Sequence, residues 1–123
     1  MLKEVDLKQL EKFKNGFETL SPNMLYSLSG DFEMFMFTAD DFYDDMSEDA
    51  SKMFKNFCRA MNDYEWQKKN ADKWFETVPK TQKDSEFRDG MLKYHANGMA
   101  RYLKEMKETA IKTIEMIIEE NKE

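Results

Sequence analysis

The chain has 123 residues, 41% hydrophobic and 36% charged, with only four glycines and two prolines. That length buries one core, the balance suits a soluble folded domain, and so few turn-formers imply a few long elements rather than an all-β or α/β fold. A formal net charge of −6 argues against a nucleic-acid partner, whose phosphates call for Lys and Arg, while permitting a basic protein partner.

The opening Met-Leu-Lys-Glu-Val-Asp lacks the apolar core of a secretory signal, and the longest uncharged stretch, Thr19 to Gly30, is too short and too polar to span a bilayer. Cys58 is the only cysteine, so no intrachain disulfide forms. A reducing, cytoplasmic setting is expected.

Asp6 followed by Gln9 resembles a capping box, after which Leu7, Leu10, Phe13, Phe17 and Leu20 fall on one face of a first helix of roughly four turns. Ser21-Pro22 ends it and starts a short second helix carrying Met24, Leu25 and Leu28. Asp31 then caps a long segment. From Phe32 an apolar stripe runs through Met36, Ala39, Tyr43, Met46, Ala50, Met53, Phe57, Ala60, Tyr64, Gln67, Ala71, Trp74 and Val78, always at steps of three or four, with Gln67 the one exception to its apolar character. Such a stripe is one face of a long helix, or of two nearly collinear ones, seeking a partner along its length. Asp45 and Ser47 are each able to cap a fresh start and bend the helix there.

Pro79 stops the segment, because the residue before a proline avoids the helical region, and Lys80 to Lys83 form the turn. Asp84 is expected to cap a last helix carrying Phe87, Met91, Tyr94, Gly98, Tyr102, Met106, Ala110, Ile114 and Ile117. The expected fold is all-α: one domain over residues 1–123, a helical bundle built on two long antiparallel amphipathic helices with the shorter N-terminal helices covering them. The stripe is longer than those two short helices easily cover, so a homo-oligomer is expected.

The acidic cluster Asp40, Asp41, Asp44, Asp45, Glu48 and Asp49 is the most unusual local feature. On one continuous helix the six fall on the arc opposite Ala39, Tyr43, Met46 and Ala50, which makes a solvated face the expected role and a docking face for a basic partner the alternative. The alternating ligands, turn glycine and closing glutamate of a calcium loop are missing. His95 is the only histidine, and position 92, where a Glu-x-x-His di-iron motif needs its carboxylate, is Leu92. No metal or other cofactor is therefore expected, and His95 is read as a surface or partly buried residue. A thiolate of Cys58 activated by His95 is conceivable chemistry, but a buried thiol acting as a small apolar group is the expectation.

The eleven methionines fall in step with Phe and Tyr at core spacing, as core filler does. A Met- and Phe-rich face also suits a groove for peptides, acyl chains or an apolar surface. Trp66 lies off the stripe, so it packs on the N-terminal helices or marks an interface, and it is grouped with Trp74 as a candidate partner contact.

The last forty residues carry an Asn-x-Met-Ala-x-Tyr run from Asn97 to Tyr102, then Lys107, Thr113-x-Glu115 and an aliphatic end. This third of the chain resembles the C-terminal helix of phasins, small helical proteins that coat polyhydroxyalkanoate granules. The resemblance implies no catalytic residues and a non-catalytic, self-associating coat whose apolar helix faces lie on an apolar granule surface. The alternative is a small acidic regulator or inhibitor, of the kind phages encode, whose Asp40 to Asp49 face blocks a basic site on a partner protein.

Overall fold

The computed structural model describes residues 2–19 and 29–122. Among these the fold is all-α: α1 (Glu4–Glu18), α2 (Ser29–Asp40), α3 (Glu48–Glu76) and α4 (Gln82–Glu120), with a single 3-10 turn at Tyr43–Asp45. The short helix expected around Met24 to Leu28, and Leu20 of the first stripe, lie outside the described residues.

Helix α1 begins two residues before Asp6. Asp6 is its third residue, and its carboxylate accepts from the Lys3 N–H at 3.1 Å, the return half of a capping box rather than the cap itself. Leu10 and Phe17 are buried, with Leu7 and Phe13 packed against the core. Leu2 N–H donates to Asn121 Oδ1 at 3.4 Å, while Lys14 pairs with Glu115 at 3.8 Å, so α1 crosses the C-terminal part of α4 in the reverse direction.

The long stripe does not form one helix, nor two collinear ones. Helix α2 starts at Ser29 rather than being capped by Asp31, which sits in its first turn, and ends at Asp40. The chain then turns back through Phe42 N–H to Ala39 O, Asp45 N–H to Phe42 O and Met46 N–H to Tyr43 O. Ser47, not Asp45, caps α3, its hydroxyl oxygen accepting from Ala50 N–H at 3.1 Å. Four aspartates within six positions explain the break: they repel at helical spacing, and Asp and Ser favour caps and turns over helix interiors. Phe32 meets the Phe57 ring, whereas Phe35 meets both Phe54 and Phe57, an inverse order that makes α2 antiparallel to α3. With Phe17 stacked on Phe32 at 4.7 Å, these rings form the centre of the core.

Helices α3 and α4 form the expected long antiparallel hairpin. α3 stops at Glu76, with Pro79 beyond it. Thr81, not Asp84, caps α4: its hydroxyl oxygen accepts from Asp84 N–H at 3.0 Å, which makes Asp84 the third helical residue. Thr has the same capping chemistry as Asp, and placing it three residues earlier adds a turn to the helix. Arg88 closes the other side of the turn by donating from Nε to Trp74 O (3.0 Å), which also accepts from Thr77 N–H, and from Nη2 to Phe75 O (2.9 Å) in the last turn of α3. The register follows from Trp74 against Phe87 and Gln67 against His95.

Burial along this hairpin is uneven. On α3 the buried residues run from Ala50 to Gln67, and on α4 from His95 to Ile117. Between residues 68 and 94 none is buried. Among the described residues, the outer part of the hairpin is thus a tip of two helices beyond the core that α1 and α2 help to close.

Candidate binding surfaces

The last closed layer before the tip is polar. His95 is only 3% exposed, a correction to the surface or partly buried position expected for it. Its Nδ1 lies 2.7 Å from Gln67 Oε1, an acceptor, so Nδ1 carries the proton. Trp66 and Tyr94 each meet the imidazole in a T-shaped contact, at centroid distances of 5.7 and 5.1 Å. Gln67, the polar interruption of the stripe, is therefore the partner of the single histidine. Each residue was visible in the sequence, but pairing them needs the register between two helices.

Cys58 lies nine residues before Gln67 on α3, about 13 Å along the axis, so it is not brought to His95. Burial, and secondarily the charge of Asp40, push its thiol above the ordinary value of 9.0. A thiol held protonated is a poor nucleophile.

The acidic residues occupy a corner rather than one helix face. Asp40 ends α2, Asp44 and Asp45 lie in the 3-10 turn, and Glu48 and Asp49 open α3. With Asp41, all six are exposed. Their position opposite Ala39 and Ala50 on a continuous helix does not arise, because the helix breaks within the cluster. Glu48 pairs with Lys52 at 3.4 Å. The C-terminal turns of α4 extend the corner, with Glu115, Glu119 and Glu120 lining a shallow depression beside Asp49 that also holds Lys112, and with Glu115 and Glu119 paired to Lys14 and Lys122. The Ser47 hydroxyl donates to a Glu120 carboxylate oxygen and ties the two together. Among the described residues, no three His, Cys, Asp or Glu side chains converge in a way that holds a metal ion.

The tip carries most of the large exposed apolar groups, Trp66 (56% exposed), Phe75 (70%), Val78 (80%), Phe87 (61%) and Tyr94 (61%), with Val5 on α1 and Met34 and Phe37 on α2 exposed elsewhere. Trp66, Asn70 and Trp74 recur at i, i+4 and i+8 on one side of α3. Phe87, Met91 and Tyr94 recur at i, i+4 and i+7 on α4, and the edge contact between Trp74 and Phe87 at 5.5 Å places both stripes on the same side of the hairpin. Phe75, about 180° round α3 from Trp66, lies on the other side beneath the Arg88 guanidinium. Trp66 is more than half exposed, and its ring meets His95 of α4. Trp74 is half-buried. Spacing places Phe87 and Tyr94 on the apolar stripe of the last helix, but both are 61% exposed, because α1 and α2 do not cover this part of α4.

No described helix is long and apolar enough to cross a membrane. Compared with protein-family models, curated proteins and solved structures, the chain has no match in any of the three.

Proposed function

We propose that the protein is a non-catalytic binding protein that covers an apolar surface, in the manner the phasin resemblance implies, and that the hairpin tip makes the contact. The observation that carries this reading is the concentration of more than half-exposed Phe, Val and Tyr side chains on residues 68–94, a segment without a buried residue, with the exposed Trp66 at its edge. Large exposed apolar patches on a folded domain mark interaction sites, because leaving them in water forfeits about 25 cal/mol per Å². The long faces of α3 and α4 up to Gln67 and His95 are already spent on the core. Adsorption therefore uses the tip rather than the whole stripe.

The test is adsorption of the purified protein to polyhydroxybutyrate particles, read by depletion from solution. The wild type is expected to bind, and Phe75→Ser/Phe87→Ser to lose most of its binding with helicity unchanged. A wild type that stays in solution would refute the reading.

A second function is favoured by the acidic corner: blocking a basic site on a partner protein. All six carboxylates are exposed, and no Lys or Arg occurs from residue 31 to residue 51. Its signature is capture of a defined basic protein that weakens with salt and falls at least tenfold in Asp41→Asn/Asp44→Asn/Glu48→Gln.

A further inference from the structure

We propose that the hairpin tip docks on an anionic phospholipid surface, with its Trp66 side towards the headgroups and the acidic end of the molecule held away in water. The inference rests on the reading of the tip as the contact with an apolar surface, and adds the charge which that surface carries.

Helical spacing collects cations on the aromatic side. On α3 the exposed Arg59, Asn62, Trp66, Lys69 and Lys73 recur at steps of three or four, all within about 60° of Trp66 at about 100° per residue. On α4, Lys83 and Tyr94 lie within about 40° of Phe87, and the contact of Phe87 with Trp74 puts them on the same side of the hairpin. Most carboxylates of this region lie further round. Glu65, Asp72 and Glu76 are about 80° or more from Trp66, and Glu86 and Asp89 about 100° or more from Phe87. Asp63 and Asp84 stand nearest, each about 60° round towards the neighbouring helix. This side of the hairpin thus sets Arg59, Lys69, Lys73 and Lys83 around the exposed rings of Trp66, Phe87 and Tyr94.

That combination selects the occupant. An uncharged apolar surface attracts the rings but offers nothing to the cations, whereas a phospholipid surface offers phosphates where lysine side chains end and an acyl boundary just beneath, at the level where Trp and Tyr settle. Rings and cations are then satisfied together.

The rest of the chain sets the orientation. The chain carries −6 overall, yet from Trp66 to Tyr94 seven Lys and Arg stand against five Asp and Glu, so the net negative charge lies in the body. Along α3, Lys73 is about 40 Å from Glu48 by helical rise, several times the screening length of about 8 Å at physiological salt. With the tip down, the acidic corner scarcely feels the surface. With the acidic corner down, like charges meet. No described helix is long and apolar enough to cross a bilayer, so the docking proposed is peripheral.

The experiment is flotation of the full chain with vesicles of phosphatidylcholine alone and of phosphatidylcholine mixed with phosphatidylglycerol. The wild type is expected to float only with the anionic vesicles and to be released as salt rises. Lys69→Gln/Lys73→Gln/Lys83→Gln should weaken binding at least tenfold, and so should Trp66→Ser/Phe87→Ser. Lys8→Gln/Lys12→Gln/Lys122→Gln, the same change in net charge away from the tip, and Phe75→Ser, on its opposite side, should change binding less than threefold, all with unchanged circular dichroism. In a Trp74→Phe background, the emission of Trp66 should shift to the blue on the vesicles. A wild type that ignores the anionic vesicles, equal binding to both lipids, or equal loss in the two triple variants would overturn the proposal, as would capture of an acidic protein through the same lysines with the vesicles left bare. Failure of the earlier reading looks different: the chain floats with anionic vesicles but leaves polyhydroxybutyrate particles uncoated, whereas a chain that coats the polymer and ignores the vesicles keeps that reading and sinks this one.

Discussion

Gly98 of α4 lies directly over the side-chain amide of Gln67 on α3: a β-carbon at position 98 would stand 2.6 Å from Gln67 Cδ and 2.8 Å from Nε2. The missing side chain is what lets Gln67 reach His95 inside the helix pair. Two effects compete on replacing it. Alanine in a helix interior gains about 0.5–1 kcal/mol over glycine, whereas displacing the amide leaves a buried imidazole N–H unpaired at about 1–3 kcal/mol. Gly98→Ala is therefore expected to destabilise by about 1 kcal/mol in urea unfolding. In a Gln67→Ala background the obstruction is gone, and the same change should stabilise. Gly90→Ala, with nothing within 4 Å of its new methyl, should stabilise by about 0.5–1 kcal/mol in either background.

Thr81 and Asp84 exchange the roles that spacing alone assigns them. Thr81→Ala removes the acceptor for Asp84 N–H and should cost about 1 kcal/mol. Asp84→Asn keeps the cap and loses only a favourable charge in the first turn, at about 0.3–1 kcal/mol. Thermal melts in which Asp84→Asn is the more damaging of the two would contradict the cap assignment.

Phe57 is fully buried and its ring meets those of Phe32, Phe35 and Phe54, so it joins α2 to α3. Phe57→Ala should cost about 3–5 kcal/mol. Phe37→Ala, on the exposed side of α2, should change stability by no more than about 0.5 kcal/mol. Equal effects would mean that α2 is seated by its other face.

Cys58 supplies a pH test. Its thiol is raised in the folded chain, first by burial and then by Asp40, so the folded state holds that proton more tightly than the unfolded one. The contribution is fully present below the ordinary thiol value of 9.0 and is lost as pH rises from there through the folded value. Stability of the wild type should thus fall more steeply above pH 9 than that of Cys58→Ser. Iodoacetamide labelling at pH 8 should be slower than in urea. Asp40→Asn should speed it only in part, since burial is the larger cause.

Fold class and hairpin were legible because α3 and α4 carry long amphipathic periods between unambiguous stops, and burial of Phe57, Ala60 and Tyr64 follows from spacing alone. The break at Asp40 was not, since the stripe stays in phase through a segment that is not helical: Tyr43 and Met46 keep the period while Asp41, Asp44 and Asp45 favour a turn. Cap positions slipped by three residues at Asp6 and Asp84 for a related reason. An acidic residue suits both the cap and the third helical position, and only backbone hydrogen bonds tell them apart. His95, Gln67 and Gly98 form one site only once the register of the two helices is known, and the exposure of Phe87 and Tyr94 depends on where α1 and α2 end.

The Gln67–His95 layer also divides the hairpin kinetically. Amides on its core side open only when the packed rings separate, so their exchange with deuterium should approach the limit set by global unfolding. Amides from about 68 to 94 are held by helical hydrogen bonds and half-covered side chains, and should exchange by unzipping from the Pro79 turn towards that layer while the rest stays folded. One helix pair thus holds two cooperative units, and anything that seats on the tip will register as slowed exchange there before it changes the melting of the whole.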